Sequence, residues 1–197
     1  VFIHYPNTSL FMALLITASV GTIMGLVNGI IVTRFNVHSI IVTLGTLSLY
    51  RGLVFIVSGG RQIDRNDIPV HIISFSQTSF LFSIPAILIL SVIIVLITHL
   101  IMRHSVLGRE IYATGSNPEA AHLKGINVTK VTLFCFGVCG MLAGVAGLFY
   151  ASRFGYVNPG VTGVGIEFIV IAGVIIGGTS ITGGSGSVLG TFLGILL

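Results

Sequence analysis

The sequence predicts an all-α, polytopic bundle of transmembrane helices, and three observations carry that expectation. First, 54% of the 197 residues are hydrophobic and only 7% are charged, with a mean hydropathy of +1.08. A soluble domain carries about 25% Asp, Glu, Lys and Arg. The nine basic and five acidic residues present cannot cover a water-facing surface of this size. Disorder is excluded by the same numbers, because disordered chains are charge-rich and apolar-poor. Second, four apolar stretches reach the roughly 20 residues that cross about 30 Å of hydrocarbon. Third, the chain holds 26 glycines, and glycine is more frequent in membrane helices than in soluble ones.

The four long stretches are Ser9–Val32, Ser39–Ser58, Ser79–Ile101 and Val131–Ala151. A fifth, Gly165–Ile181, is shorter and ends in glycines, and the start of a sixth runs from Ser187 to Leu197. The expected architecture is therefore five spans plus the beginning of another, in one membrane domain over residues 1–197. Runs of this length exceed a strand, and the alternating polar positions of an outer-membrane barrel are missing. Without an initiator Met, and with its last residues inside an apolar run, the sequence reads as a fragment trimmed at both ends.

Basic residues in alternate loops give the orientation. Arg34, Arg103, Arg109, Lys124 and Lys130 fall on one side, and Arg61, Arg65 and Arg153 on the other. The larger group places the loop 102–130 in the cytoplasm. It also accounts for the net charge of +4 without nucleic acid as a partner. Glycines recur four apart as Gly21/Gly25/Gly29, Gly140/Gly144, Gly173/Gly177 and Gly186/Gly190/Gly194. That spacing lines small residues along one helix face and lets backbones approach. Cys135 and Cys139 lie a helical turn apart in an apolar stretch, and no Cys/His cluster has metal-ligand spacing.

The loop 108–126 contains a short, well-punctuated helix. Asn117 is a good N-cap, Pro118 fits the first helical position, and Gly125 suits the left-handed residue that closes a helix. Glu119 and Lys124 complement the two ends of its dipole. Two turns are too few to be stable alone, so the membrane domain or a partner must hold them. Ala120 and Ala121 offer a smooth surface, with Glu119, His122 and Lys124 as orienting polar groups.

Here the sequence resembles a family. Gly115, Asn117, Ala120, Ala121, Gly125 and Ile126 match the cytoplasmic coupling motif of ABC-importer permeases of the ribose/xylose/rhamnose and autoinducer-2 group, and Gly108-Arg109 matches its lead-in. Thr43–Gly52 with Ser58-Gly-Gly60, and Gly165–Phe168 through Gly177–Gly186, are similar to two further family stretches. The resemblance implies a permease subunit of the bacterial inner (cytoplasmic) membrane that translocates a monosaccharide or autoinducer-2-like solute by alternating access. It implies a separate ABC ATP-binding subunit that holds ATP and Mg. It also implies a second permease subunit, identical or not, and a periplasmic or extracellular solute-binding protein. Gly108, Arg109, Gly115, Asn117, Glu119, Ala120, Ala121, Gly125 and Ile126 would couple the permease to the ATPase. No catalytic residue is nominated, since the chain has neither a Walker motif nor a carboxylate pair.

Charged and polar side chains inside spans each need a reason. Thr43, Thr46 and Tyr50 share one face of the second span, with Arg51 beside them and Glu167 at the outer start of the fifth. They are candidates for the solute path. An Arg51–Glu167 ion pair, snorkelling by Arg51 and threonine bonding within the bundle are the structural alternatives. Gly177, Gly178, Gly183, Gly184 and Gly186 invite a phosphate-loop reading, which fails because no Gly-Lys-Ser/Thr follows. Glycine-rich interruptions at membrane depth instead mark broken helices or turns lining a cavity, here a cytoplasmic gating turn. The rival reading is a proton-coupled secondary transporter or channel with Glu167 and His99 as proton carriers.

Overall fold

The computed structural model describes residues 9–69, 72–74, 79–80 and 84–197. Its helices are α1 (Leu10–Phe35), α2 (Ser39–Ser58), α3 (Ala86–His104), α4 (Val106–Ser116), α5 (Pro118–Leu123), α6 (Val128–Phe154), α7 (Ile166–Ile176) and α8 (Val188–Leu196). A short 3-10 turn, Arg65–Asp67, and a two-residue antiparallel pair, Ser79–Phe80 with Ile84–Pro85, complete the described elements. The chain is an all-α membrane protein. Helices α1, α2, α3 and α6 are long and apolar enough to cross a bilayer.

Two expected spans are corrected. The third begins at Ala86 rather than Ser79. Pro85 lacks the N–H a preceding helical turn would need and holds Ile84 extended, so the helix starts just after it. The fifth is helical only over Ile166–Ile176, 11 residues, about 16 Å at 1.5 Å per residue. Gly177 caps it and Gly178 turns the chain with φ 80°, so the helix stops before the apolar run ends at Ile181.

The chain divides into two units, residues 1–87 with 133–162, and residues 88–132 with 163–197. In the first, α1 and α6 meet along their glycines. A Cβ on Gly21 would fall on the Gly140 carbonyl oxygen, and one on Gly25 on the Phe136 carbonyl oxygen. On Gly144 it would fall on the Thr17 carbonyl oxygen. The four-residue spacing read from the sequence is therefore a backbone-to-backbone seam. Lipid tails are as apolar as leucine, so close van der Waals approach holds such helices rather than the hydrophobic effect.

Towards the start of α1 and the end of α6, Ala13, Ile68, Ile72, Ile73, Leu148 and Ala151 form a buried cluster. Ser152 is 1% exposed there, and its hydroxyl donates to the Ile72 carbonyl at 2.6 Å. Ile63 and Val157 exchange two backbone hydrogen bonds, each 2.9 Å. Arg61 pairs with Asp67 at 3.1 Å on the same loop.

In the second unit α7 and α8 form a hairpin closed by small residues. A Cβ on Gly194 would strike the Gly173 carbonyl oxygen, and one on Gly190 the Gly177 carbonyl oxygen. Ser187 caps α8 by accepting from the Gly190 N–H at 3.0 Å. The hydroxyls of Thr179 and Thr191 are 2.9 Å apart and join the turn to α8.

The seam makes a signed prediction for two glycines of α6. Gly140→Ala places a methyl on backbone that cannot yield and should destabilise by about 1–3 kcal/mol. Gly147 has nothing within 4 Å of the added carbon, so Gly147→Ala should instead gain up to about 1 kcal/mol of helix propensity. Thermal unfolding in mild detergent compares them, and equal shifts would contradict the seam.

Candidate functional site: the coupling segment and the glycine turn

The segment after α3 is built by local rules. Ser105 accepts from the Gly108 N–H at 3.0 Å and starts α4. Gly108 is buried in that corner, where a Cβ would fall on the Met102 carbonyl oxygen. The whole of α4 was not foreseen, since the sequence there reads only as a lead-in. Arg109 projects from it, exposed.

Asn117 does two things. Its N–H donates to the Ala113 carbonyl at 3.1 Å and ends α4, and its side chain accepts from the Ala120 N–H at 3.0 Å and starts α5. Pro118 occupies the first turn, where no N–H donor is needed. At the other end the Gly125 N–H donates to the His122 carbonyl at 2.9 Å and the Ile126 N–H to the Ala121 carbonyl at 3.1 Å. This pair of bonds is a Schellman closure, and it requires the left-handed residue that Gly125 supplies at φ 83°. Every capping residue read from the sequence holds its expected position.

One surface expectation is corrected. Ala121 is 3% exposed and faces inward, because a two-turn helix must bury one side to stay folded. It therefore cannot share a docking face with Ala120. The exposed positions are Pro118, Glu119, Ala120, His122, Leu123 and Lys124. Leu123, 88% exposed, was missed. Its signal was legible: a large apolar side chain at the last position of a short polar helix.

The expected gating turn lies against this segment. A Cβ on Gly115 would be 2.6 Å from the Gly184 nitrogen, and one on Gly184 2.7 Å from the Ser116 Cα. Tyr112, also missed, donates from its hydroxyl to the Gly186 carbonyl at 2.9 Å. Two groups of residues distant in sequence thus meet in one unit. Within the turn, the Ser180 N–H donates to the Ser185 carbonyl at 2.9 Å and the Gly183 N–H to the Ser180 carbonyl at 3.2 Å. Gly183 at φ 92° and Gly184 at φ 77° occupy the left-handed region that favours glycine.

The candidate path residues fall in both units. On α2, the Thr43 hydroxyl donates back to the Ser39 carbonyl at 3.0 Å and that of Thr46 to the Val42 carbonyl at 3.0 Å. Such back-bonding satisfies a threonine within its own helix. The Tyr50 hydroxyl lies 3.0 Å from Asn28 Oδ1 and 3.1 Å from the Met24 carbonyl, joining α2 to α1. Asn28, the lone amide of the first apolar stretch, was also missed. Arg51, half-buried on α2, belongs to the first unit, and Glu167 to the second. Glu167 sits in the first turn of α7, where the helix dipole favours a carboxylate.

Comparison with known proteins bears on this arrangement. A family model for the permease component of the branched-chain amino acid transport system matches residues 2–197. The autoinducer 2 import system permease protein LsrC of Yersinia pseudotuberculosis serotype O:1b (strain IP 31758) is 38% identical over 178 residues. The LsrC protein of Yersinia pestis (strain Pestoides F) is also 38% identical over 178 residues. Each alignment covers 90% of this chain and 50% of the relative, so the chain spans about half the length of the curated relatives it matches. No solved structure matches. With four apolar helices among the described residues long enough to cross a membrane, a family match over nearly the whole sequence and a capped helix at the expected motif, the chain belongs to this family of importer permeases.

Proposed function

We propose that this permease works in an ATP-driven importer of the bacterial inner membrane, and that α5 is the element seated in a separate ATP-binding subunit. One observation carries the reading. A helix of six residues, capped at both ends, presents a leucine that is 88% exposed, flanked by Glu119 and Lys124. A short helix fixed by caps gives up little conformational entropy on docking, and a leucine at its tip supplies an apolar anchor. The partner holds ATP and Mg. Closure of two such partners displaces α5 and drives alternating access in two permease subunits, identical or different. A solute-binding protein delivers cargo to the opposite face. The relatives' names favour autoinducer 2 or a similarly small, hydroxyl-bearing solute, with a monosaccharide as the nearest chemical alternative.

On this reading the half-buried face of α2 with Thr43, Thr46, Tyr50 and Arg51 lines the path. A charge in a span is costly, and Arg51 offers donors for solute hydroxyls. The exposed residues of this segment, Arg109, Asn117, Glu119, Ala120, His122, Leu123 and Lys124, serve the ATPase.

Leu123→Asp tests the docking. Losing the burial of one leucine costs about 1.5–3 kcal/mol, which is roughly tenfold to a hundredfold in affinity. The tagged permease should insert normally but lose its ATP-binding partner on purification from its own membranes. Retention of that partner with unchanged uptake would refute the assignment. Uptake that survives ATP depletion and collapses with a protonophore would put the secondary-transporter reading in its place.

Arg51→Gln tests the path separately. A hydrogen bond from a charged group contributes about 1.5–3 kcal/mol, so uptake at limiting solute should fall at least tenfold while the ATPase partner is retained. Normal uptake kinetics would remove Arg51 from the path.

A further inference from the structure

The contact between the last turn of α4 and the glycine turn has a consequence for how motion travels. We propose that it is a rigid link carrying displacement of α5 into the α7–α8 hairpin, with the Tyr112 hydroxyl as its positioning group. The proposal rests on the docking role of α5 given above and names the route by which that site acts.

Each joint along the route is stiff for a stated reason. α5 and α4 share a single residue, Asn117, which caps the end of one and the start of the other. No flexible linker separates them, so a tilt of α5 is imposed on α4. The last turn of α4 then meets the glycine turn backbone to backbone. A Cβ on Gly183 would lie 2.7 Å from the Gly115 carbonyl oxygen, and one on Gly184 2.9 Å from the Ser116 Cβ. Groups at such distances have no free volume through which to slide, and close-packed contacts transmit displacement rather than absorb it. A surface of side chains could reorient, whereas one of glycines cannot.

Steric contact alone transmits a push but not a pull. The Tyr112 hydroxyl supplies the second, since it donates to the Gly186 carbonyl at 2.9 Å. Beyond the turn, Thr179 and Thr191 lie 2.9 Å apart through their hydroxyls. Gly177 and Gly190 meet so closely that a Cβ on either strikes the other's carbonyl oxygen. The turn is thereby fixed to both helices of the hairpin. All of these residues lie in the second unit.

The test uses the importer assembled and purified from its own membranes and reconstituted in lipid vesicles. Tyr112→Phe removes one oxygen and keeps the ring. The variant should keep its ATP-binding partner and its rate of ATP hydrolysis within about twofold. Solute delivered per ATP hydrolysed should fall about threefold to tenfold, the range expected when one hydrogen bond is lost. Delivery per ATP equal to that of the unaltered protein would overturn the proposal. Hydrogen exchange on the unaltered importer gives a reading that no folding defect can blur. On addition of a non-hydrolysable ATP analogue, residues 112–124 and 180–186 should change protection together. A change confined to 112–124 would also overturn the link. Failure of the docking role is distinguishable, because the unaltered protein would then lack an ATP-binding partner from the outset.

Discussion

The structure depends on backbone meeting backbone at glycine. Between α1 and α6, between α7 and α8, and between α4 and the glycine turn, the position a Cβ would take is already held by main-chain atoms. In lipid there is little hydrophobic drive to bring helices together, so contact area and proximity must supply cohesion. Glycine gives both, at the cost of helix propensity. The seams place α6 against α1 in one unit and set the last turn of α4 against the hairpin turn in the other. Larger side chains at these positions would separate the elements.

Local capping and the burial of one side explain why a six-residue helix persists. α5 has too few residues to be stable on propensity alone. It is held by an Asn117 cap, a Schellman closure at Gly125 and an inward-facing Ala121. Its outer surface stays exposed. The arrangement divides labour within one short segment: Asn117, Ala121 and Gly125 keep the shape, and Glu119, Leu123 and Lys124 stand exposed. The Ala121 carbonyl, by accepting from Ile126, also fixes where the chain leaves towards α6.

Much of this was legible in the sequence, because the signals are local. Asn-Pro before a short run and Lys-Gly-Ile after it dictate the caps of α5, and glycines four apart dictate which face of α1 meets α6. Three features were hidden for a physical reason. The extent of α7 could not be read from hydropathy, since the apolar run continues to Ile181 while Gly177 and Gly178 end the helix at Ile176. Which of Ala120 and Ala121 faces inward depends on tertiary burial, to which two adjacent alanines give no clue. The meeting of Tyr112 with Gly186 joins residues 74 apart, and nothing in the spacing of one implies the other. The threonines of α2 show the converse: their spacing did mark one face, but the backbone of their own helix takes up the hydroxyls.

The central claim is that α5 is a docking element for an ATP-binding subunit. A photo-crosslinking residue placed at Leu123, in the protein as it stands in its own membranes, tests it most directly. The account predicts one dominant adduct containing a nucleotide-binding protein, and no such adduct when the same group replaces the inward-facing Ala121. Adducts at Leu123 to lipid alone, or equal capture from both positions, would contradict it.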